Sequence, residues 1–261
     1  MTNEYVELPI NNSTMLYSGY SYGFGFSSNT KHYKIVKLSV IRNGLYVVDI
    51  FTIGSFTRSS SGKWSRVPFM PFFVFGCKDG VYLNGYLYWH GYYRNIRNRG
   101  RDMDIDMVLL RFDVEDEKFQ QVSFPPNGQD GAFHPSSHIW IFNNNLYLSC
   151  LNLHFKSGEF HVWKMEQDSW FKEFVIPLPI DSVLHYHINY YDVSTSYLFQ
   201  LIKVFEDGKM LCVVSSKDLI LYDSKTKQTE ALNDKLNHHG RLCIHEIDSF
   251  NFGSLPKTLG V

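Results

Sequence analysis

The sequence predicts an all-β chain: a β-propeller-like array of antiparallel meander blades. Three observations carry this. Aromatic residues make up 16% of the 261 positions, with 17 Tyr and 21 Phe, while alanine is scarce, a balance that favours sheets over helices. A strand–turn–strand phrase returns several times along the chain, and each return closes on a polar turn with no helical pattern between. Small meanders of this kind leave few edges exposed when they pack side by side around an axis. A jelly-roll sandwich is the alternative architecture that such strand spacing leaves open.

Taken in order, Gly19–Leu38 (GYSYGFGFSSNTKHYKIVKL) opens with aromatics alternating with glycines. A dinucleotide cradle needs Gly-x-Gly-x-x-Gly between a strand and a helix, so that a pyrophosphate rests on helix N-terminal amides. Here Ser28 holds the third position and His32–Val40 alternates like a strand, so Gly23 and Gly25 are read as scaffold that lets aromatic neighbours pack closely. Ser27–Thr30 is then a turn between two strands. Strand openings follow at Gly44-Leu-Tyr-Val-Val, Gly85-Tyr-Leu-Tyr-Trp, Asn145-Leu-Tyr-Leu-Ser and Gly208-Lys-Met-Leu-Cys. Hairpins close at Lys63-Trp64, Asp113-Val-Glu-Asp-Glu-Lys-Phe119, Glu166-Gln-Asp-Ser-Trp170 and Asp223-Ser-Lys-Thr-Lys-Gln-Thr229. The exits Trp64, Phe119, Trp170 and Thr229 recur every roughly 50 to 60 residues, somewhat above the ~40 to 50 of ordinary propeller blades. The repeats are drawn at 32–68, 81–125, 138–177 and 197–232, with closing strands over 241–252, all within one domain spanning 1–261.

Charge and composition narrow the function. A formal net charge of −1 offers the phosphate backbone of a nucleic acid no general attraction, so no nucleic-acid partner is expected. No apolar run approaches the ~20 residues of a membrane span, and Glu4 and Glu7 stand where a signal peptide would be basic. A soluble protein of the cytoplasm or nucleus is expected, without membrane partners. Cys77, Cys150, Cys212 and Cys243 are scattered and sit mostly within apolar strands, which points to buried thiols over disulfides or zinc.

Asp102-Met-Asp104-Ile-Asp106 has the spacing that opens a calcium loop, yet Met107 occupies the position needing glycine and Asp113 the position needing glutamate. It reads better as a strand with an acidic face. His185, His187, His238 and His239 lack a cysteine or carboxylate at structural-zinc spacing. With no nucleophile elbow, Walker loop, His-Glu-x-x-His or Cys-x-x-Cys, the expectation is neither an enzyme nor a cofactor binder. One loop stands out for recognition: Tyr92, Tyr93, Arg94, Arg97, Arg99 and Arg101 mix the two side-chain types that most often anchor protein interfaces. The bland reading of the same residues is a solvated insertion.

Several of these pieces resemble one family in order. Gly23-Phe-Gly25-Phe-Ser-Ser-Asn-Thr-Lys-His-Tyr-Lys-Ile-Val36 resembles the GFG-(F/Y)-D-x-x-T-x-x-YKVV signature of the plant F-box-associated domain, including that of S-locus F-box proteins. Lys63-Trp64-Ser-Arg resembles its SWR turn, Val81–Trp89 its VFLNGALHW, Leu110–Asp113 with Glu117–Phe119 its ILSFDLxxEKF, Val162–Met165 with Ser169–Trp170 its LWVMKEYG-SW, and Leu221–Thr226 its LYDPKT. Departures are Ser27-Ser28 in place of the Asp-bearing turn, a third repeat without the glycine turn, and a loose C-terminal match over Ile244–Phe250. Met1–Pro9 resembles only the end of the family's first-blade phrase, so the F-box and most of that blade are expected to be missing and the propeller incomplete at its N-terminus. The resemblance implies a kelch-like fold that presents protein substrates to an SCF-type E3 ubiquitin ligase. A Skp-type adaptor would be a partner only with an F-box upstream. A carbohydrate-binding or enzymatic propeller is the competing reading, since exposed Trp and Tyr can stack on sugar rings.

Overall fold

The computed structural model describes residue 8 and residues 20–40, 46–53, 64–70, 79–94, 105–126, 137–154, 157–177, 199–214 and 218–232. The chain divides into two compact units, Met1–Val122 and Ser123–Val261. The first holds two sheets, one of β1 (Tyr20–Ser27), β2 (His32–Val40), β3 (Tyr46–Ile53) and β4 (Trp64–Met70), the other of β5 (Val81–Leu83), β6 (Tyr86–Arg94), β7 (Ile105–Asp113) and β8 (Lys118–Val122). The second unit holds β9 (His138–Phe142), β10 (Asn145–His154), β11 (Ser157–Glu166) and β12 (Ser169–Pro177) in one sheet, and β13 (Phe199–Val204), β14 (Lys209–Val214), β15 (Asp218–Asp223) and β16 (Gln228–Ala231) in the other. The described residues contain no helix. Every sheet is an antiparallel meander with its strands in sequence order, the form of a propeller blade and not the Greek key of a jelly roll. The closing strands expected over 241–252 lie outside the described residues.

Turn chemistry explains why the strands reverse where they do. Asn84 and Gly85 have φ of 49° and 89°, and Asn143 and Asn144 of 45° and 59°, so each pair forms a tight two-residue turn with both central residues left-handed. That geometry matches strand twist and favours Asn and Gly. Gln167 and Asp168 make the same turn without a glycine, at φ of 49° and 59°. The longer turns share another device. Asp113 Oδ1 accepts the backbone N–H groups of Glu115 and Asp116, and Asp223 Oδ1 those of Lys225 and Thr226, while Glu117 and Lys227 take the left-handed position that closes the loop. The two backbone donors of its own turn hold the Asp223 carboxyl below its ordinary pKa.

In the first unit, the inward face of β1 is made of small residues, Ser21, Gly23, Gly25 and Ser27, all buried. Across from it lies Trp89 of β6, fully buried. A Cβ placed on Gly23 would stand 2.5 Å from Trp89 Cζ2, and one on Gly80 2.4 Å from Cε2, so the indole occupies the space that any larger residue would claim. Ser21 completes the seat by accepting the indole N–H at 2.9 Å. Behind Trp89, Val36, Leu38 and Ile50 meet Leu87, Leu110 and Phe112 in one apolar core. The reading of the glycines as close-packing scaffold holds.

The edge of β1 is also occupied. Gly80 N–H donates to Tyr22 O at 2.7 Å, Tyr22 N–H to Asp79 Oδ1 at 2.9 Å, and the Tyr82 hydroxyl to Phe26 O at 2.9 Å. At the end of the strand, two turns are fastened together. Glu115 accepts the hydroxyl of Ser27 at 2.7 Å, the hydroxyl of Ser28 at 3.2 Å and the N–H of Asn29 at 3.0 Å. Beside it, buried Lys34 donates to Val114 O at 2.6 Å and pairs with Glu117 at 2.9 Å. In the second unit, Phe160, Val162 and Ile176 pack against Met210, Cys212, Ile220 and Tyr222.

Two outcomes test this account. Gly23→Ala is expected to lose about 1–3 kcal/mol in urea unfolding with an unchanged m-value, because overpacking against a pinned indole forces a backbone or ring shift. The Ser27 hydroxyl first, and then the Asn29 N–H, hold the Glu115 carboxyl below its ordinary pKa of 4.5. Its folded value is the lower one, so its contribution is complete above the unfolded value and fades as pH falls through the folded one. The Tm difference between the wild type and Glu115→Gln is therefore present at neutral pH and disappears in acid.

Candidate protein-binding surface

The Tyr/Arg loop leaves the fold at a definable place. β6 pairs with β7 from Tyr86↔Asp113 to Arg94↔Ile105, and the turns at Asn84–Gly85 and Val114–Glu117 lie at the Tyr86 end of that ladder. The connection after Arg94 therefore departs from the opposite end. The hairpin between β2 and β3 reverses at that same end, because the β1–β2 turn joins Glu115 at the other. Tyr92, Tyr93 and Arg94 are backbone partners of Met107, Asp106 and Ile105. Arg97, Arg99 and Arg101 lie outside the described residues, as do Asp102 and Asp104 of the acidic run.

A second surface went unread in the sequence. Along β1, residues alternate in exposure, so the positions between the buried glycines face outward. Tyr22 and Phe24 are exposed there at 40% and 41%. Phe24 stacks on Tyr33 of β2 with ring centroids 5.3 Å apart and planes 5° from parallel, and Phe26 closes on the same ring at 5.0 Å. Next to these rings the register places Lys37 beside Asp49, and Asp49 pairs with Arg66 at 3.0 Å. The signal was present in Tyr-Ser-Tyr-Gly-Phe-Gly-Phe: once the glycines face a neighbouring sheet, period 2 puts the aromatics in solvent.

The second unit offers an open depression of about 700 Å³ over the β13–β14 hairpin, lined by Lys203, Phe205, Glu206, Asp207, Lys209 and Leu221. Lys203 Nζ sits 5.1 Å over the Phe205 ring. The Lys209 backbone N–H lowers the Asp207 pKa, and the Lys209 ammonium stands 3.3 Å away, so the mouth carries paired and not surplus charge.

The described thiols are poor nucleophiles. Cys150 and Cys212 are free and buried, and loss of water pushes Cys212 up to about 12 and raises Cys150 well above its ordinary value. Cys77, Cys243, His185, His187, His238 and His239 lie outside the described residues. Among the described residues, no group of three or more His, Cys, Asp or Glu is placed to hold a metal ion, and no helix is long and apolar enough to cross a membrane.

The family model of the F-box associated beta propeller domain matches residues 9–241. The F-box protein At3g07870 of Arabidopsis thaliana is 24% identical over 230 residues, covering 78% of this chain and 52% of the relative. The F-box protein CPR1 of the same species is 23% identical over 255 residues, covering 88% of this chain and 55% of the relative. The chain thus spans about half the length of the curated relatives it matches. Among solved structures, a protein of unknown function from Dyadobacter fermentans aligns with a TM-score of 0.46 at 9% identity, over 82% of this chain and 70% of that one. The GH32 beta-fructofuranosidase BmSUC1 of Bombyx mori aligns at 0.42 and 13% identity, over 81% and 47%.

Replacing both exposed rings, Tyr22→Ser with Phe24→Ser, is expected to cost about 1–2 kcal/mol, the scale of lost cross-strand pairs, and to leave unfolding cooperative. Trp89→Ser, which empties the core, costs more than about 3 kcal/mol in the same urea titration.

Proposed function

Because this chain belongs to the F-box associated beta propeller domain family, we propose that it is a target-recognition module of the kind that serves SCF-type ubiquitin ligases, capturing a protein substrate by surface complementarity. The observation that carries the reading is the family match over residues 9–241, beside two relatives that are F-box proteins. Its chemistry supports the reading as well. Flat aromatic rings on a rigid sheet supply contact area at small entropic cost, and a tyrosine- and arginine-rich connection supplies anchors. On this reading the module performs no catalysis, needs no cofactor, and works in the cytoplasm or nucleus. Delivery of the captured protein belongs to an F-box and its Skp-type adaptor.

Affinity capture from a cell lysate tests the assignment. The wild-type chain is expected to retain a protein partner that free sugars do not release. Changing Arg94, Arg97, Arg99 and Arg101 together to Ser is expected to weaken retention at least about tenfold with Tm unchanged, since an interface arginine contributes on the order of 2 kcal/mol. Release by sugar makes the module a lectin, and unchanged retention removes the arginine connection from the binding surface.

A further inference from the structure

At one end of the joint between the two sheets of the first unit, a carboxylate fastens one turn to another. Glu115, in the turn after β7, accepts hydrogen bonds from Ser27 at the end of β1 and from Ser28 and Asn29 in the turn that follows, and none of these three partners is a cation. The two serines differ in access: Ser27 is fully buried, whereas Ser28 is exposed. The contact from Ser28 Oγ to Glu115 Oε1, at 3.2 Å, exists only because the hydroxyl carries a proton to donate.

We propose that Ser28 is a modification site and that phosphorylation there unfastens the β1–β2 turn from the β7–β8 turn. In that reaction Ser28 Oγ attacks the γ-phosphorus of a nucleoside triphosphate held by a protein kinase. The new O–P bond forms as the bond to the bridging oxygen breaks, the nucleoside diphosphate leaves with the electron pair, and the hydroxyl proton passes to the kinase's base. The product has lost its donor and gained nearly two negative charges against a carboxylate, so attraction becomes repulsion. Ser27 keeps its own bond until the turn swings out, which makes Ser28 the accessible trigger. Lys34 with Glu117 and Val114 holds the neighbouring strands, so the opening stays local.

The test uses the full chain with phosphoserine installed at position 28 during translation, compared with Ser28→Ala and Ser28→Glu, each with Glu115 intact and with Glu115→Gln. Amide hydrogen exchange of Asn29 and Glu115–Glu117 is the local readout, which stays informative if global stability falls. The expected result is exchange about tenfold faster in the phosphorylated chain than in Ser28→Ala, with most of that difference abolished by Glu115→Gln. Equal exchange in the phosphorylated and alanine chains overturns the proposal, and so does an acceleration that survives Glu115→Gln unchanged. Neither result depends on which protein the module captures.

Discussion

The constraint on which the first unit depends is the approach of a tryptophan to a backbone that carries no side chain. Trp89 lies close against Gly23 and Gly80, and its ring nitrogen is spent on Ser21. The indole has lost rotational freedom as well as exposure. Leu87 and Val36 belong to the same buried core as that indole. A cavity or a bulge at this one place would propagate, since packed interiors have no slack to absorb it.

A second level of attachment is polar and lies at the periphery. Glu115, Glu117 and Lys34 fasten the sheets at one end, while the connection with the tyrosines and arginines departs from the other. The polar fastening and the departing connection thereby lie at opposite ends of the strands. Hairpin connections at the opposite end can vary in length and sequence without touching the seat of Trp89.

The legible part of this molecule was its local part. Alternation around Gly23 and Gly25 gave both the strand and the reason for the glycines, and the recurring Asp113 and Asp223 phrases marked turns that those two carboxylates close. Gly80 and Lys34 were not singled out, because their meaning lies in partners far along the chain: Lys34 meets Val114 across 80 residues, and no periodicity records that pairing. Tyr22 and Phe24 were visible as aromatics but not as a surface. Their exposure follows only once the opposite face of β1 is known to be covered. Arg97, Arg99 and Arg101 lie outside the described residues, so the arginine connection is an argument from residue type and placement.

The outer border of β1 has one more consequence. A strand at the rim of a sheet ordinarily advertises unpaired amides and carbonyls to any passing chain, and self-association by strand addition is the common penalty. Here Gly80, Asp79 and the Tyr82 hydroxyl have already claimed the groups of Tyr22 and Phe26 on either side of Phe24. A foreign strand would find no continuous ladder to extend. The rings on β1 can therefore stay sticky while their backbone does not, and whatever binds them must do so through side chains, without seeding a fibril.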